Sequence, residues 1–384
     1  MQTSQARALD FRAPEYQDCL YATYRLLRDE HPVYFDESRG AFLITRYDDV
    51  RQALRDTAVF HNSGTSQDIV EQMQSTDGAL HKDLRGKVRK QFSQALVEAL
   101  EPGLQTIVDS LFDELLDNAS DKPLDILNGV INEIPRRFMS DFLGFPEHLR
   151  AVWYALGEPM VGFDPRNPVE APETLYQKMI DVVDEAIDWK RQHPSEDVFG
   201  WLVRAESAGE FTAREVHLLV RNLGFAALDT TINLLANGTA LLANNPDQRQ
   251  RLIADAALME AATNEMLRCE APTQSLPRRV HVDTELHGVK IAAGQEVRLV
   301  YGAANRDERH YADPDRFDLS RASHDHLAFG YGVHKCIGQY LAKMEARIYF
   351  SALLQRLPEY QVADSSWLIS PWARAYANLS ISPS

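Results

Sequence analysis

Residues 329–338 read "FGYGVHKCIG": three glycines, a histidine and a cysteine in ten positions, directly ahead of a helical run, "QYLAKMEARIYFSALLQRL" at 339–357. A glycine-rich turn that opens a helix usually cradles a phosphate, because the helix start offers free N–H groups and the positive end of a dipole. A thiol in the same place points to a metal. The chain has only three cysteines, Cys19, Cys269 and Cys336. So sparse and odd a set suits a reducing compartment and does not form a disulfide framework.

Three readings compete for this turn. In the first, Cys336 is a small buried hydrophobe at a loop-to-helix junction. In the second, Gly330 and Gly332 begin a dinucleotide fingerprint behind the strand-like "HLAF". That fingerprint requires a third glycine where Lys335 stands, and no strand–helix–strand unit surrounds it. In the third, Cys336 is a thiolate ligand of haem iron. Gly332 and Gly338 then remove side chains where a flat macrocycle passes close to the backbone. The start of the following helix favours thiolate over thiol, and an iron-bound thiolate donates electron density that assists O–O cleavage.

Outward from the turn, the chain reads as an ordinary enzyme. Its 384 residues are 45% hydrophobic and 25% charged, enough for a sizeable core. The formal net charge of −16 argues against nucleic acid as a partner. "MQTSQARALDFRAPEYQDCL" has no apolar run behind a basic flank, so neither a signal peptide nor a membrane anchor is expected, and the cytoplasm is.

Helical periodicity dominates 83–117, 173–193 and 212–244, and "DDVRQALRD" at 48–56 starts a helix with aspartate caps. "PVYFDESRGAFLITRY" at 32–47 reads as two short strands around a turn at Ser38 to Gly40. Strand patterns return at 276–302 and in the C-terminal "ANLSISPS". The expected architecture is mainly α with a smaller β-rich region, and the missing strand–helix alternation excludes a doubly wound sheet. No repeat, low-complexity tract or flexible linker divides residues 1–384, so one continuous domain is expected.

Phe329, Gly330, Gly332, His334, Cys336 and Gly338 match the Phe-Gly-x-Gly-x-His-x-Cys-x-Gly signature of bacterial cytochromes P450, and the chain resembles that family from the first hairpin to the C-terminal strands. The resemblance implies the family's fold and its cofactor, haem b (iron protoporphyrin IX). It implies a monooxygenase that inserts one oxygen atom of O2 into a small organic substrate, by hydroxylation or oxidative dealkylation. By the same resemblance Cys336 is the axial iron ligand, Phe329 packs near its sulfur, Gly338 borders the macrocycle and His334 reaches a propionate.

Other segments agree with the turn. In "DGALHKDLRGKVRKQFS", His81 and Arg85 lie one helical turn apart and can pair with a propionate. In "LPRRVHVD", Arg278 stands five residues before Asp283, the family's spacing for another propionate partner. "NEMLRCE" carries Glu265 and Arg268, three apart on one helix face. They resemble the family's Glu-x-x-Arg pair, which locks onto a later arginine, here Arg321 or else Arg316, with Cys269 a bystander.

"GFAALDTTINLLANG" places Asp229 and Thr230 in an apolar helical run. On their own, Thr230 bonding back to a carbonyl one turn earlier and Asp229 finding a salt bridge would account for them. By resemblance they are the acid–alcohol pair of the oxygen-binding helix, with Thr230 bonding the bound oxygen and Asp229 relaying protons. Ala227 departs from the family, which commonly has glycine there. "ALGEPMVGFDPRNPVEAPE" at 155–173 carries four prolines between two helices and reads as part of a pocket lid or as a surface connection.

Three cysteines, one already used, cannot hold an iron–sulfur cluster needing four. Electrons must come from outside, and the expected source is an acidic ferredoxin with its NAD(P)H-dependent reductase. It would dock on a basic patch of Arg85, Lys87, Arg89, Lys90, Lys343 and Arg347. Two competing functions are peroxide-driven or non-oxygenating use of the same fold, against which Asp229–Thr230 argues, and a haem sensor without turnover. The motifs do not specify the substrate.

Overall fold

The computed structural model describes residues 19–65, 72–118, 123–161, 172–226, 228–321, 325–370 and 372–383. Ala227 and most of the proline-rich stretch, residues 162–171, lie outside them.

The architecture is mainly helical with three small sheets. The first sheet has the order β1-β2-β8-β5-β3, with β1 Val33–Asp36, β2 Ala41–Ile44, β3 Phe60–His61, β5 Ser275–Val280 and β8 Glu296–Val300. A second joins β4 (Leu124–Asp125) to β10 (Tyr376–Pro383) and β9 (Tyr360–Trp367). The third is the hairpin of β6 (Thr284–Leu286) and β7 (Val289–Ile291). The β-rich stretches expected near 32–47, 276–302 and the C-terminus are all present. Not readable from the sequence was the parallel pairing of β2 with β8, which aligns Ala41 with Glu296 and Ile44 with Leu299. All four residues of β2 are buried, as a strand covered on both faces requires.

Five helices frame the site: α1 Gly78–Val88, α2 Ala213–Ala226, α3 Asp229–Asn244, α4 Met259–Cys269 and α5 Gln339–Arg356. Packing between α3 and α5 is close. A Cβ on Gly238 would stand 2.3 Å from the Phe350 ring and 2.8 Å from the Met266 sulfur, so only glycine lets the helices approach this far.

Three helical expectations are corrected. The 212–244 run is two helices, α2 and α3, that meet at a bend at Leu228 rather than one rod. Helix formation in the 83–117 stretch begins earlier, at Gly78, and is interrupted around Ser93 and Leu100. The helix Tyr47–Arg55 carries Asp48 and Asp49 in its first turn, not as caps. Its leading N–H, that of Tyr47, is taken by the buried Asp307 carboxylate at 2.9 Å, a partner 260 residues away that local pattern cannot reveal.

Candidate active site

His81 and Arg85 from α1, Arg278 from β5, Thr230 from α3, and Phe329, His334, Cys336 and Gly338 from the ligand turn border one cavity of about 270 Å³. Every expected cofactor-binding residue therefore meets at one place. Asp229, half-buried at the first position of α3, is not part of the cavity wall.

The turn is held by its own backbone. Gly330 and Gly332 take left-handed conformations, φ +68° and +73°, and the Cys336 N–H returns to the Phe329 carbonyl at 2.8 Å. A Cβ on Gly332 would stand 2.9 Å from the Leu54 carbonyl oxygen. The smallness of Gly332 thus serves a contact with the Tyr47–Arg55 helix, not passage of a macrocycle, and Gly332 is absent from the cavity wall.

Cys336 is half-buried. Burial pushes its thiol above the ordinary range, against the pull of the Gly338 N–H, Arg85 and Lys335. The Gly338 N–H at the helix start pulls toward thiolate as expected, and desolvation works against it as the larger effect. A coordinated metal removes that proton outright.

Asp77, which the sequence reading did not single out, organises the polar end. Its Oδ2 accepts the Ser63 N–H and hydroxyl, each at 2.9 Å, and its Oδ1 lies 3.2 Å from His334 Nε2. The His334 and His81 rings lie against each other at a tilt of 30°, with centroids 3.9 Å apart. Burial and the nearby His334 and Arg85 push His81 down to about 4, so its imidazole is neutral near pH 7 and offers no charge to a carboxylate. The two guanidiniums supply the charge. Arg85 donates to the Lys335 carbonyl and Arg278 to the Pro277 carbonyl at 2.7 Å, yet among the described residues neither meets a carboxylate. A buried cation without an anion is costly. A thiol, two imidazoles and two unpaired guanidiniums around one cavity fit an iron macrocycle that carries two carboxylates.

Thr230 Oγ1 donates to the Ala226 carbonyl at 3.2 Å, bridging the bend between α2 and α3. Glu345, on α5, was not anticipated. It is 1% exposed, borders the cavity, and leaves Oε2 without a partner. Burial pushes its carboxyl up to about 8.

Beside the site, Glu265 and Arg268 form a bidentate pair, 2.7 Å from Nε to Oε2 and 2.8 Å from Nη2 to Oε1. Arg321 Nε joins Oε1 at 3.1 Å, so Arg321 is the third member, while Arg316 contributes only its carbonyl. Cys269 is more than a bystander: Arg268 Nη2 lies 3.0 Å from its sulfur, and burial holds the thiol at about 12.

The basic patch is smaller than the sequence implied. Arg85 borders the cavity, Lys87 pairs with Asp83 and Glu215, and Arg347 pairs with Glu101. Arg89, Lys90 and Lys335 are exposed. Val333 and Tyr340, in and just after the cysteine turn, are 56% and 42% exposed, an apolar feature that charge counting could not find.

Comparison with known proteins agrees with this geometry. The family description Cytochrome P450 matches residues 166–362. Cytochrome P450 monooxygenase PikC of Streptomyces venezuelae is 36% identical over 379 residues, covering 94% of this chain and 90% of that protein. The 6-deoxyerythronolide B hydroxylase of Saccharopolyspora erythraea is 28% identical, covering 91% of each. The crystal structure of CYP109E1 from Bacillus megaterium in complex with testosterone has a TM-score of 0.88 at 27% identity, over 97% of this chain and 99% of that one. Fold and site define a haem-thiolate oxidoreductase. The chain belongs to the cytochrome P450 family, as a monooxygenase. Members of this family carry haem, act on small molecules with O2 and usually draw electrons from redox partners. Among the described residues, no helix is long and apolar enough to cross a membrane.

Proposed function

We propose that this chain works as one domain in the cytoplasm, placing one oxygen atom of O2 into a small organic substrate by hydroxylation or oxidative dealkylation. A separate acidic ferredoxin and its NAD(P)H-dependent reductase supply the electrons. One observation carries the reading: a single cavity joins the Cys336 thiol to Arg85 and Arg278, neither of which meets a carboxylate among the described residues.

Haem b, when bound, supplies the activation of O2. Cys336 Sγ holds the iron, and the Gly338 N–H directed at the sulfur moderates its negative charge. Arg85 and Arg278 neutralise the two propionates. His334, oriented by Asp77, and His81 offer ring nitrogens beside them. Phe329 shields the sulfur, and Gly338 leaves space next to it. Thr230, its hydroxyl proton directed to Ala226, presents lone pairs to the cavity and so holds a proton donor there. Asp229, behind that wall, hands protons to it. Outside the cavity, the exposed Arg89, Lys90 and Lys335 attract an acidic electron donor, and the exposed Val333 and Tyr340 give it an apolar seat.

The test is the carbon-monoxide difference spectrum of the reduced, haem-loaded protein. The red-shifted Soret band of thiolate ligation is expected. Stoichiometric haem without that band would overturn the assignment, and absence of product with ferredoxin, reductase and O2 across a substrate panel would overturn the monooxygenase reading.

A further inference from the structure

Asn222 lies on α2, one turn before Ala226, and is 5% exposed. Its Oδ1 accepts the Gln74 backbone N–H at 2.8 Å, which determines how the carboxamide faces. Its amide nitrogen has no hydrogen-bond acceptor among the described residues. The side chain borders the cavity, whose wall also includes Gln72, Met73, Ser75, Phe92, Met139 and Leu223. With its oxygen occupied by the Gln74 N–H, the carboxamide of Asn222 has its N–H2 group left to donate to an oxygen of whatever fills the cavity.

The chemistry of that acceptor can be narrowed. Among the described residues, the wall's arginines and its one carboxyl group, Arg85, Arg278 and Glu345, come from α1, β5 and α5, not from α2. The helix that carries Asn222 thus adds no cation to the wall, and a neutral oxygen suits a neutral amide donor. Thr230 follows Asn222 by eight residues, on the other side of the bend at Leu228.

We propose that Asn222 is a specificity-determining residue whose amide nitrogen donates to a neutral carbonyl or ether oxygen of the substrate, remote from the carbon presented beside Thr230. The substrate class is then an elongated, uncharged, largely apolar molecule with an oxygen acceptor remote from its site of oxidation. This rests on the reading that haem lies against Cys336 and leaves the Thr230–Asn222 side to substrate.

Iron-anchored probes test it on the haem-loaded protein. Two series are titrated by the Soret shift: 1-alkylimidazoles, and 1-(ω-methoxyalkyl)imidazoles of the same heavy-atom count, whose ether oxygen accepts but cannot donate. The methoxy series should show an affinity maximum at one chain length, about two- to tenfold tighter than its alkyl match, the gain of one hydrogen bond. Asn222→Leu should abolish that maximum and leave the alkyl series intact. Asn222→Asp, measured where it is ionised, keeps an acceptor for the Gln74 N–H but offers no donor, and should abolish it too. This second variant decides the matter if the leucine variant fails to fold. Affinity that rises smoothly with length in both series, or a maximum unchanged in the variants, would overturn the role of Asn222. No Soret shift with any imidazole would instead overturn the underlying haem assignment.

Discussion

Replacing Glu265 by glutamine removes one negative charge from a site where two arginines depend on it. Glu265 Oε1 accepts from Arg268 Nη2 at 2.8 Å, Arg321 Nε at 3.1 Å and the Asp318 N–H at 3.1 Å, and Oε2 accepts from Arg268 Nε at 2.7 Å. The side chains of Glu265 and Arg268 are 3% and 1% exposed, so water cannot replace what is lost. Glutamine keeps one acceptor but turns an N–H2 group toward a guanidinium. Arg268 would retain the Asn305, Pro314 and Arg316 carbonyls and no anion. Breaking a buried pair from one side costs about 3–5 kcal/mol, a large part of the roughly 5–15 kcal/mol by which such proteins are stable. Arg321→Ala removes only the outer cation, 13% exposed, and leaves the central pair closed. Its expected cost is about 1–2 kcal/mol, near that of one charged hydrogen bond. Urea unfolding of the haem-loaded proteins measures both losses. The Glu265 variant should also release haem faster, because, Asn305 aside, the carbonyls held by Arg268 and Arg321 belong to residues 312–316, shortly before the cysteine turn. A Glu265→Gln loss below about 1 kcal/mol, or one no larger than that of Arg321→Ala, would refute the claim that this buried carboxylate anchors the segment.

Cys336→Ser should lose the thiolate-type carbon-monoxide band while the arginine-lined cavity still retains some haem; an unchanged band removes Cys336 as ligand. Thr230→Ala should keep substrate binding and divert electrons into peroxide, with product formation lowered about 10²–10⁴-fold, the usual worth of a positioned proton-transfer group; full product yield per electron would exclude the role. Charge reversal at Arg89, Lys90 and Lys335 should slow reduction by ferredoxin, most at low ionic strength, whereas reversal at Lys87, already paired with Asp83 and Glu215, should do less; stopped-flow rates that ignore salt and substitution argue against this patch. For Glu345, the folded protein holds a proton up to about pH 8 that the unfolded chain releases near the ordinary carboxylate value, so this group's contribution to stability falls as pH rises between those limits. Glu345→Gln should therefore gain on the native protein by up to about 1.4 kcal/mol per pH unit between pH 5 and 8, levelling above; parallel urea-midpoint curves for the two proteins would contradict it.

The parts of the site that were legible are those with rigid spacing. Cys336 and its glycines obey a fixed backbone geometry, and His81 and Arg85 a helical repeat, so residue identity at set intervals carried the information. Arg321 was readable, with Arg316 as the alternative, only through the resemblance of Glu265 and Arg268 to the family's Glu-x-x-Arg pair. Asp77, Asn222 and Glu345 were not readable: Asp77 and Asn222 acquire their meaning from neighbours far along the chain, His334 and Gln74, and Glu345 from burial that leaves Oε2 without a partner among the described residues. The surface patch was overestimated for the same reason, since Lys87 and Arg347 are neutralised by Glu215 and Glu101, which sequence distance separates from them. The bend at Leu228 escaped because hydrophobic periodicity runs through it without interruption.

The pairing of β2 with β8 also constrains the order in which the chain can be made and folded. Ala41–Ile44 emerges early, fully apolar and destined for burial, but its parallel partner follows about 250 residues later. At roughly 5–20 residues per second, that interval is some tens of seconds of synthesis. During it an unpaired hydrophobic strand edge is open to misassociation. The Leu54 carbonyl likewise waits for Gly332. Slower initiation, lower temperature or a bound chaperone should therefore raise the yield of folded chain more than any change near the cysteine, because the early hairpin must be shielded until the last quarter of the polypeptide arrives to close over it.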